Sequence, residues 1–491
     1  MQITVDNNQI IGKADKMLYG HFIEHFHRQI YGGLFDVGSP LSDEDGFRTD
    51  VIAALRDIRV PVLRWPGGCF VSAYNWKYGV GKERRTAFDK AWRVEEPNTF
   101  GTDEYIKFCR KIGCEPYICT NAGTGTAEEM SDWVEYCNIA NEGFFAKWRA
   151  KNASKAPYGV KYWSIGNENW GGHEVGAKTS EQWGALVREA AKMMHRVDPS
   201  IELSAASIAD LDWNLNLLRS AGQLLDWVSI HDYWDFSPDG VQHASYEEVI
   251  AKTGKRLSRS IDRVRSYLTA LELHDKIKIA YDEWNLRGWY HPNVMNNVHR
   301  DGYYSKEEYL APRDRNDDNK VYTMADAVFS ACFLNTCLRN CDIVGMACFS
   351  PVVNTRGCIC THKEGIVLRP TYYVFYLFAN LLGENVLDVW NADTPLSDTG
   401  DMEMSDVVVT RTKEGYAVSA INKDAENECE IGLRFLDAEI SKCRIHCLNG
   451  KSKNSYNDIG KTEVGISVSE WTKFGGKVTL PPHSVNVIEL V

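Results

Sequence analysis

Two glutamates stand where two apolar runs stop. Val160–Ile165 is a short apolar run broken at Gly166, and Asn167, Glu168 and Asn169 follow it. Ile277–Leu286 reads I-K-I-A-Y-D-E-W-N-L, a second such run that delivers Glu283. Runs of this kind mark buried parallel strands whose ends emerge from a sheet carrying polar groups. Two carboxyls facing one another across a pocket suit glycoside hydrolysis. One must stay protonated to supply the leaving oxygen, and the other must stay ionised to act as nucleophile or base. Glu168 lies among amides and aromatics (Trp163, Asn167, Trp170), which suits the protonated acid. Arg64 and the Tyr233 hydroxyl are candidates to hold Glu283 ionised. A gap of roughly 5–5.5 Å between the carboxyls would retain anomeric configuration and a clearly larger one would invert it, a distance that spacing along a chain does not measure.

The elements that must position these groups recur in order. Apolar runs at Met17–Ile23, Pro61–Trp65, Pro116–Cys119, Val160–Ile165, Ile201–Ala206, Trp227–Ile230, Ile277–Tyr281 and Ile343–Phe349 alternate with segments of helical period. Those helices are expected at Asp45–Val60, Glu104–Ile112, Ala127–Cys137, Ser180–Val197, Leu211–Leu225, Tyr246–Leu273, Met324–Cys341 and Thr371–Leu382. Eight strand–helix pairs in about 370 residues predict a closed (β/α)8 TIM barrel, and no G-x-G-x-x-G follows the first strand to favour an open doubly wound sheet. Strand ends of such a barrel share one face, so Glu24, His25, Arg64, Trp65, Asn167, Glu168, His231, Tyr233, Glu283 and Trp284 are expected at one mouth. Two long connections, Trp76–Thr102 and Arg287–Lys320, would shape its rim or form a lid.

After about residue 384 only short β-prone segments separated by turn residues remain, which predicts a C-terminal antiparallel β-sandwich of jelly-roll type. The expected division is a catalytic barrel over 18–383 and a sandwich over 384–491, joined by residues 1–17 as one or two edge strands.

Composition narrows the partners. The 491-residue chain is 44% hydrophobic and 25% charged, ordinary for a soluble protein with a large core. A net charge of −12 argues against nucleic acid or an anionic membrane and suits a neutral ligand. The start, M-Q-I-T-V-D, lacks a basic region followed by an apolar one, so no signal peptide is expected and the cytoplasm is the expected compartment. No run approaches a transmembrane length. Cys332, Cys337 and Cys341 read as helix packing, and Cys358-Ile-Cys360 is too tight for a zinc knuckle. No metal or other cofactor is expected.

Several ordered motifs then coincide: G-H-F-I-E-H (20–25), Y-G-G (31–33), L-R-W-P-G-G-C-F-V-S-A-Y-N-W (63–76), F-G-T-D-E-Y (100–105), G-N-E-N-W-G (166–171) and Y-D-E-W-N (281–285). Together they resemble glycoside hydrolase family 51, best known for α-L-arabinofuranosidases, over nearly the whole chain. The resemblance implies Glu168 as acid/base and Glu283 as nucleophile, with Glu24 and Asn167 bonding sugar hydroxyls. It implies Arg64, His231 and Tyr233 around the nucleophile and pocket floor, Cys69 near the sugar ring, and Trp92 stacked on the leaving group. Cys69 stands where many members carry Asn, and Pro370 where many carry a sugar-contacting Gln. The implied enzyme is a retaining exo-glycosidase releasing terminal α-L-arabinofuranosyl groups from arabino- or arabinoxylo-oligosaccharides, working as a homo-oligomer, often a hexamer. The alternatives are an endo-β-glucanase or β-xylosidase of the same family, or a non-catalytic carbohydrate-binding barrel. A metal-dependent amidohydrolase is suggested only by His25 and His27, and the His and Asp it needs after strands five and eight are missing.

Overall fold

Gly20–Phe22, Val62–Trp65, Glu115–Thr120, Tyr162–Ile165, Glu202–Ala206, Trp227–Asp235, Lys278–Arg287 and Val344–Phe349 pair in that order. Each runs parallel to the next, and the eighth returns to the first to close a barrel. The computed structural model describes residues 1–235, 244–254, 256–288, 317–392, 396–397 and 402–491. Most of the expected Arg287–Lys320 connection therefore lies outside the described residues.

Burial on both faces explains the apolar runs: every residue of Val344–Phe349 is buried, with side chains on one face filling the barrel and on the other meeting helices. The helices carry their own start signals. Thr179 and Gln182 form a capping box at Ser180–Val197, and Asp210 accepts from the Trp213 N–H at the head of Leu211–Ala221.

Met324–Arg339 is the exception to amphipathicity. Residues 324–338 are all buried, because this helix lies between the barrel and the C-terminal sheet. Its charged groups are paired: Asp326 with Arg287 at 2.7 Å and Arg339 with Asp406 at 2.6 Å.

Three expectations are corrected. The Tyr246–Leu273 helix is two helices, Tyr246–Ile250 and Arg259–Ala270, parted where Gly254 takes an extended backbone. The first strand spans only Gly20–Phe22, because Lys16–Tyr19 winds into a 3-10 turn capped by Asp15. Gln2–Lys13 is one strand and not an edge: it lies between Asn385–Ala392, antiparallel, and Cys429–Phe435, parallel. Over Gln2–Val5 both sides are satisfied by partners, and Ile3 and Val5 point into the apolar core of this C-terminal, mostly antiparallel ten-stranded sheet. The Trp76–Thr102 connection contains a small hairpin, Ala87–Asp89 with Val94–Glu96. All fourteen cysteines are free thiols. Among the described residues no helix is long and apolar enough to cross a membrane.

Candidate active site

The fourth barrel strand ends at Ile165, and the chain turns through backbone that side chains rarely adopt. Gly166 has φ +71°, and a Cβ there would sit 2.1 Å from Asn169 Oδ1 and 2.6 Å from the Trp183 ring. Glu168 itself has φ +42°. Strained backbone of this kind persists where surrounding contacts over-determine it, and here it carries the carboxylate over the barrel mouth.

Glu168 meets two imidazoles. Its Oε1 lies 2.8 Å from His231 Nδ1 and its Oε2 2.8 Å from His173 Nε2. Burial pushes its carboxyl up, but the two histidines outweigh that and hold it below the usual carboxylate range. The expectation of a resting acid kept protonated by amides and aromatics is therefore corrected. Trp163, one of the aromatics invoked, is buried in the core beside Trp133.

Glu283 is held from two sides: Arg64 Nη1 donates to Oε1 at 2.6 Å and the Tyr233 hydroxyl donates to Oε2 at 2.8 Å. The same guanidinium donates from Nη2 to Asn167 Oδ1 at 2.9 Å and lies 3.2 Å by Nε from Asp282 Oδ2. Asp282 also accepts from Tyr117 at 2.8 Å and Ser229 at 2.5 Å, and its Oδ1 is 3.2 Å from His231 Nε2. Full burial would raise this carboxyl, yet Arg64, His231 and Ser229 hold it down at about 2. Burial disfavours charge on His231, but Glu283, Asp282 and Glu168 overcome it and push the imidazole up to about 10. The ring is a cation donating to Glu168 through Nδ1 and to Asp282 through Nε2.

At the closed end, Glu24 Oε1 accepts from the Phe70 N–H at 3.0 Å and Trp92 Nε1 at 3.1 Å. Burial, with the Glu283 charge adding to it, pushes the Glu24 carboxyl well above its ordinary value. Burial thus favours its protonated form, which can donate as well as accept. Gly67 (φ +145°) makes its place, since a Cβ there would fall 2.2 Å from Glu24 Cγ.

These groups line one cavity of about 690 Å3, in the range that encloses a ligand of several rings. Glu24, Cys69, Trp92, Asn167, Glu168, His231, Tyr233 and Glu283 all reach it. Arg64 lies beneath, fully buried, and acts through the side chains it holds. Trp92 differs from expectation. It is bonded to Glu24, tilted on Phe26 and only 4% exposed, which leaves little ring face for a leaving group. Pro370 sits at the first turn of Pro370–Leu381, outside the lining. His25 turns away to Trp65 and Glu96 within an aromatic cluster, so it and His27 form no metal pair.

Asp282, His173 and Glu174 were not singled out from the sequence. Glu174 Oε1 accepts from Asn167 Nδ2 at 2.9 Å, and burial together with the Glu168 charge pushes its carboxyl up to about 7. Cys69, His173 and Glu174 bring potential ligand atoms within 4.8 Å of one another, as do Glu168, His231 and Glu283. The second set is already engaged with Arg64, Tyr233 and Asp282.

Comparison with known proteins decides the family. Sequence-family models described as alpha-L-arabinofuranosidase 1 domain and alpha-L-arabinofuranosidase C-terminal domain match residues 54–248 and 282–484. Alpha-L-arabinofuranosidase C of Emericella nidulans is 34% identical across 99% of this chain and 96% of its own. The chain belongs to the glycoside hydrolase family 51 α-L-arabinofuranosidases. Another family relative, from Halalkalibacterium halodurans, is named an intracellular exo-alpha-(1->5)-L-arabinofuranosidase and is 33% identical over 86% of this chain and 84% of its own. A solved family structure, that of α-L-arabinofuranosidase from Thermotoga maritima in complex with arabinose, superposes with a TM-score of 0.87. It is 33% identical and covers the whole of both chains. This chain is accordingly a glycoside hydrolase on the family's barrel and C-terminal sheet.

Proposed function

We propose that this enzyme releases terminal α-L-arabinofuranosyl groups from short arabino- or arabinoxylo-oligosaccharides with retention of configuration. The observation that carries the mechanism is the gap between the two carboxylates. Glu168 and Glu283 bring oxygen atoms within 4.8 Å of each other. That upper limit does not exceed the ~5–5.5 Å of double-displacement enzymes and is short of the ~6.5–9.5 Å that admits a water between the groups. Glu283, aimed by Arg64 and Tyr233, attacks the anomeric carbon while Glu168 passes to the departing oxygen the proton it shares with His173, whose Nε2 lies 2.8 Å from its Oε2. Glu168 then takes a proton from water, which releases the sugar from Glu283. Glu24 and Asn167 bond the ring hydroxyls at the closed end. That closed end supports exo action, as does the printed name of the Halalkalibacterium halodurans relative, which also supports an intracellular site of action.

Two readouts test the reading. Among 4-nitrophenyl α-L-arabinofuranoside, β-xyloside, β-glucoside and β-cellobioside, only the first should be cleaved efficiently. Proton NMR of that reaction should show the α-furanose first. Preference for xyloside or cellobioside would refute the substrate, and first appearance of the β-anomer would refute retention.

A further inference from the structure

The net charge of −12 hides a local reversal at the cavity mouth. In a closed barrel the loops after strands five and six lie across from those after strands one and two. Glu24 and Gly68 follow strands one and two and make the closed, buried end. Across the cavity, beyond Glu168, the lining includes Arg256, Arg259, Ser260 and Arg263, which follow strand six. A sugar seated against Glu24, Asn167 and Glu283 must send its leaving group past Glu168 toward these arginines.

The three arginines are exposed, and none has a carboxylate within ion-pair distance among the described residues. Arg259 and Arg263 are four apart on Arg259–Ala270 and so share a face, with Arg256 just ahead of them. Arg265, on another face of the same helix, is committed outward to Asp342 and Asn340. The acidic residues nearest the three are otherwise engaged. Asp210 caps Leu211–Ala221, Asp262 accepts from Ser258, and Asp232 accepts from the Tyr281 hydroxyl; burial raises its carboxyl and the Arg256 charge, beyond ion-pair distance, lowers it in part. Guanidinium groups recognise carboxylates by paired N–H donors, so arginines that hold no carboxylate ion pair among the described residues can receive one from a ligand.

We propose that Arg256, Arg259 and Arg263 form a leaving-group subsite for a uronate carboxylate, so that the preferred substrates carry arabinofuranosyl branches on acidic oligosaccharides. This rests on the arabinofuranosidase reading above and adds the chemistry of the part left behind.

The test uses one arabinofuranosyl-branched oligosaccharide containing a uronic acid and the same compound as its uronate methyl ester. The acid should be hydrolysed with kcat/KM about tenfold or more above the ester, the scale of a charge-assisted hydrogen bond. That ratio should fall toward one in Arg259→Ala/Arg263→Ala and in high salt, and stay unchanged in Arg265→Ala. A ratio of one in the native enzyme overturns the subsite. So does a high ratio that survives the double substitution. Calorimetry with the debranched uronate oligosaccharide reads the subsite without turnover, and no binding there, or binding equal in the double variant, also overturns it. Failure to cleave 4-nitrophenyl α-L-arabinofuranoside would instead refute the arabinofuranosidase reading.

Discussion

Asp282 and Glu283 are neighbours in the chain, yet both address the Arg64 guanidinium, at 3.2 Å and 2.6 Å. In a regular strand they would point to opposite faces of the sheet. Pairing with strand six explains the difference: Ala280 opposes Ser229 and Glu283 opposes His231, so the seventh strand fits one extra residue into that interval. This bulge turns both carboxylates inward, as bulges beside active sites do. Arg64 is thereby neutralised in a site with no access to water.

Breaking this network should be costly. Asp282→Ala takes one carboxylate partner from each of Arg64 and His231, and loss of one partner of a buried pair costs about 3–5 kcal/mol. Denaturant unfolding checks this. The pH dependence follows from the same groups. The Asp282 contribution is fully present above its ordinary value of 3.8 and is lost as pH falls through about 2. The His231 contribution is fully present below 6.5 and is lost as pH rises through about 10. Unfolding free energy should therefore decline between pH 6.5 and 10 in the native enzyme, and His231→Gln should flatten that decline.

His173 sits 2.8 Å from the Glu168 carboxylate on the solvent side, and the pairing raises the imidazole while it lowers the carboxyl. With the imidazole gone, the proton the pair shares has only the Glu168 carboxyl, which His231 still holds low. His173→Ala should therefore move the alkaline limb of kcat/KM to lower pH, since that limb reports loss of that proton. An unmoved limb with an altered melting temperature would reduce His173 to loop packing.

Glu283→Ala should abolish turnover of every arabinofuranoside. Glu168→Ala should behave differently with a leaving group that needs no proton: the first step survives, and release of the glycosyl-enzyme slows by about 10²–10⁴-fold. Azide should restore the second variant alone, giving a glycosyl azide seen by mass spectrometry. Equal, unrescued loss in both would contradict the assigned roles.

Gly67→Ala tests the closed end. Its Cβ would lie 2.2 Å from Glu24 Cγ and 2.8 Å from Cδ, at a φ that disfavours any side chain. Glu24 must move, and a displacement near 1 Å in a positioning group costs about 10²-fold in rate. Measurement of kcat/KM alongside circular dichroism separates a shifted Glu24 from a lost fold.

The sequence by itself determined the barrel, because burial on both faces of a parallel sheet writes each strand as an apolar run, and the strand ends then name their own polar residues. Glu24, Asn167, Glu168, His231, Tyr233 and Glu283 were legible that way. Only the tertiary structure decided what those residues are to one another. Asp282 was hidden because strand alternation places it outward, and register between strands six and seven is invisible in one strand's sequence. The ionised rest state of Glu168 was hidden because His173 and His231 approach it from a loop and another strand, and a pKa is set by neighbours in space. The arginine row had the same cause: only closure of the barrel brings residues 256–263 across from Glu24.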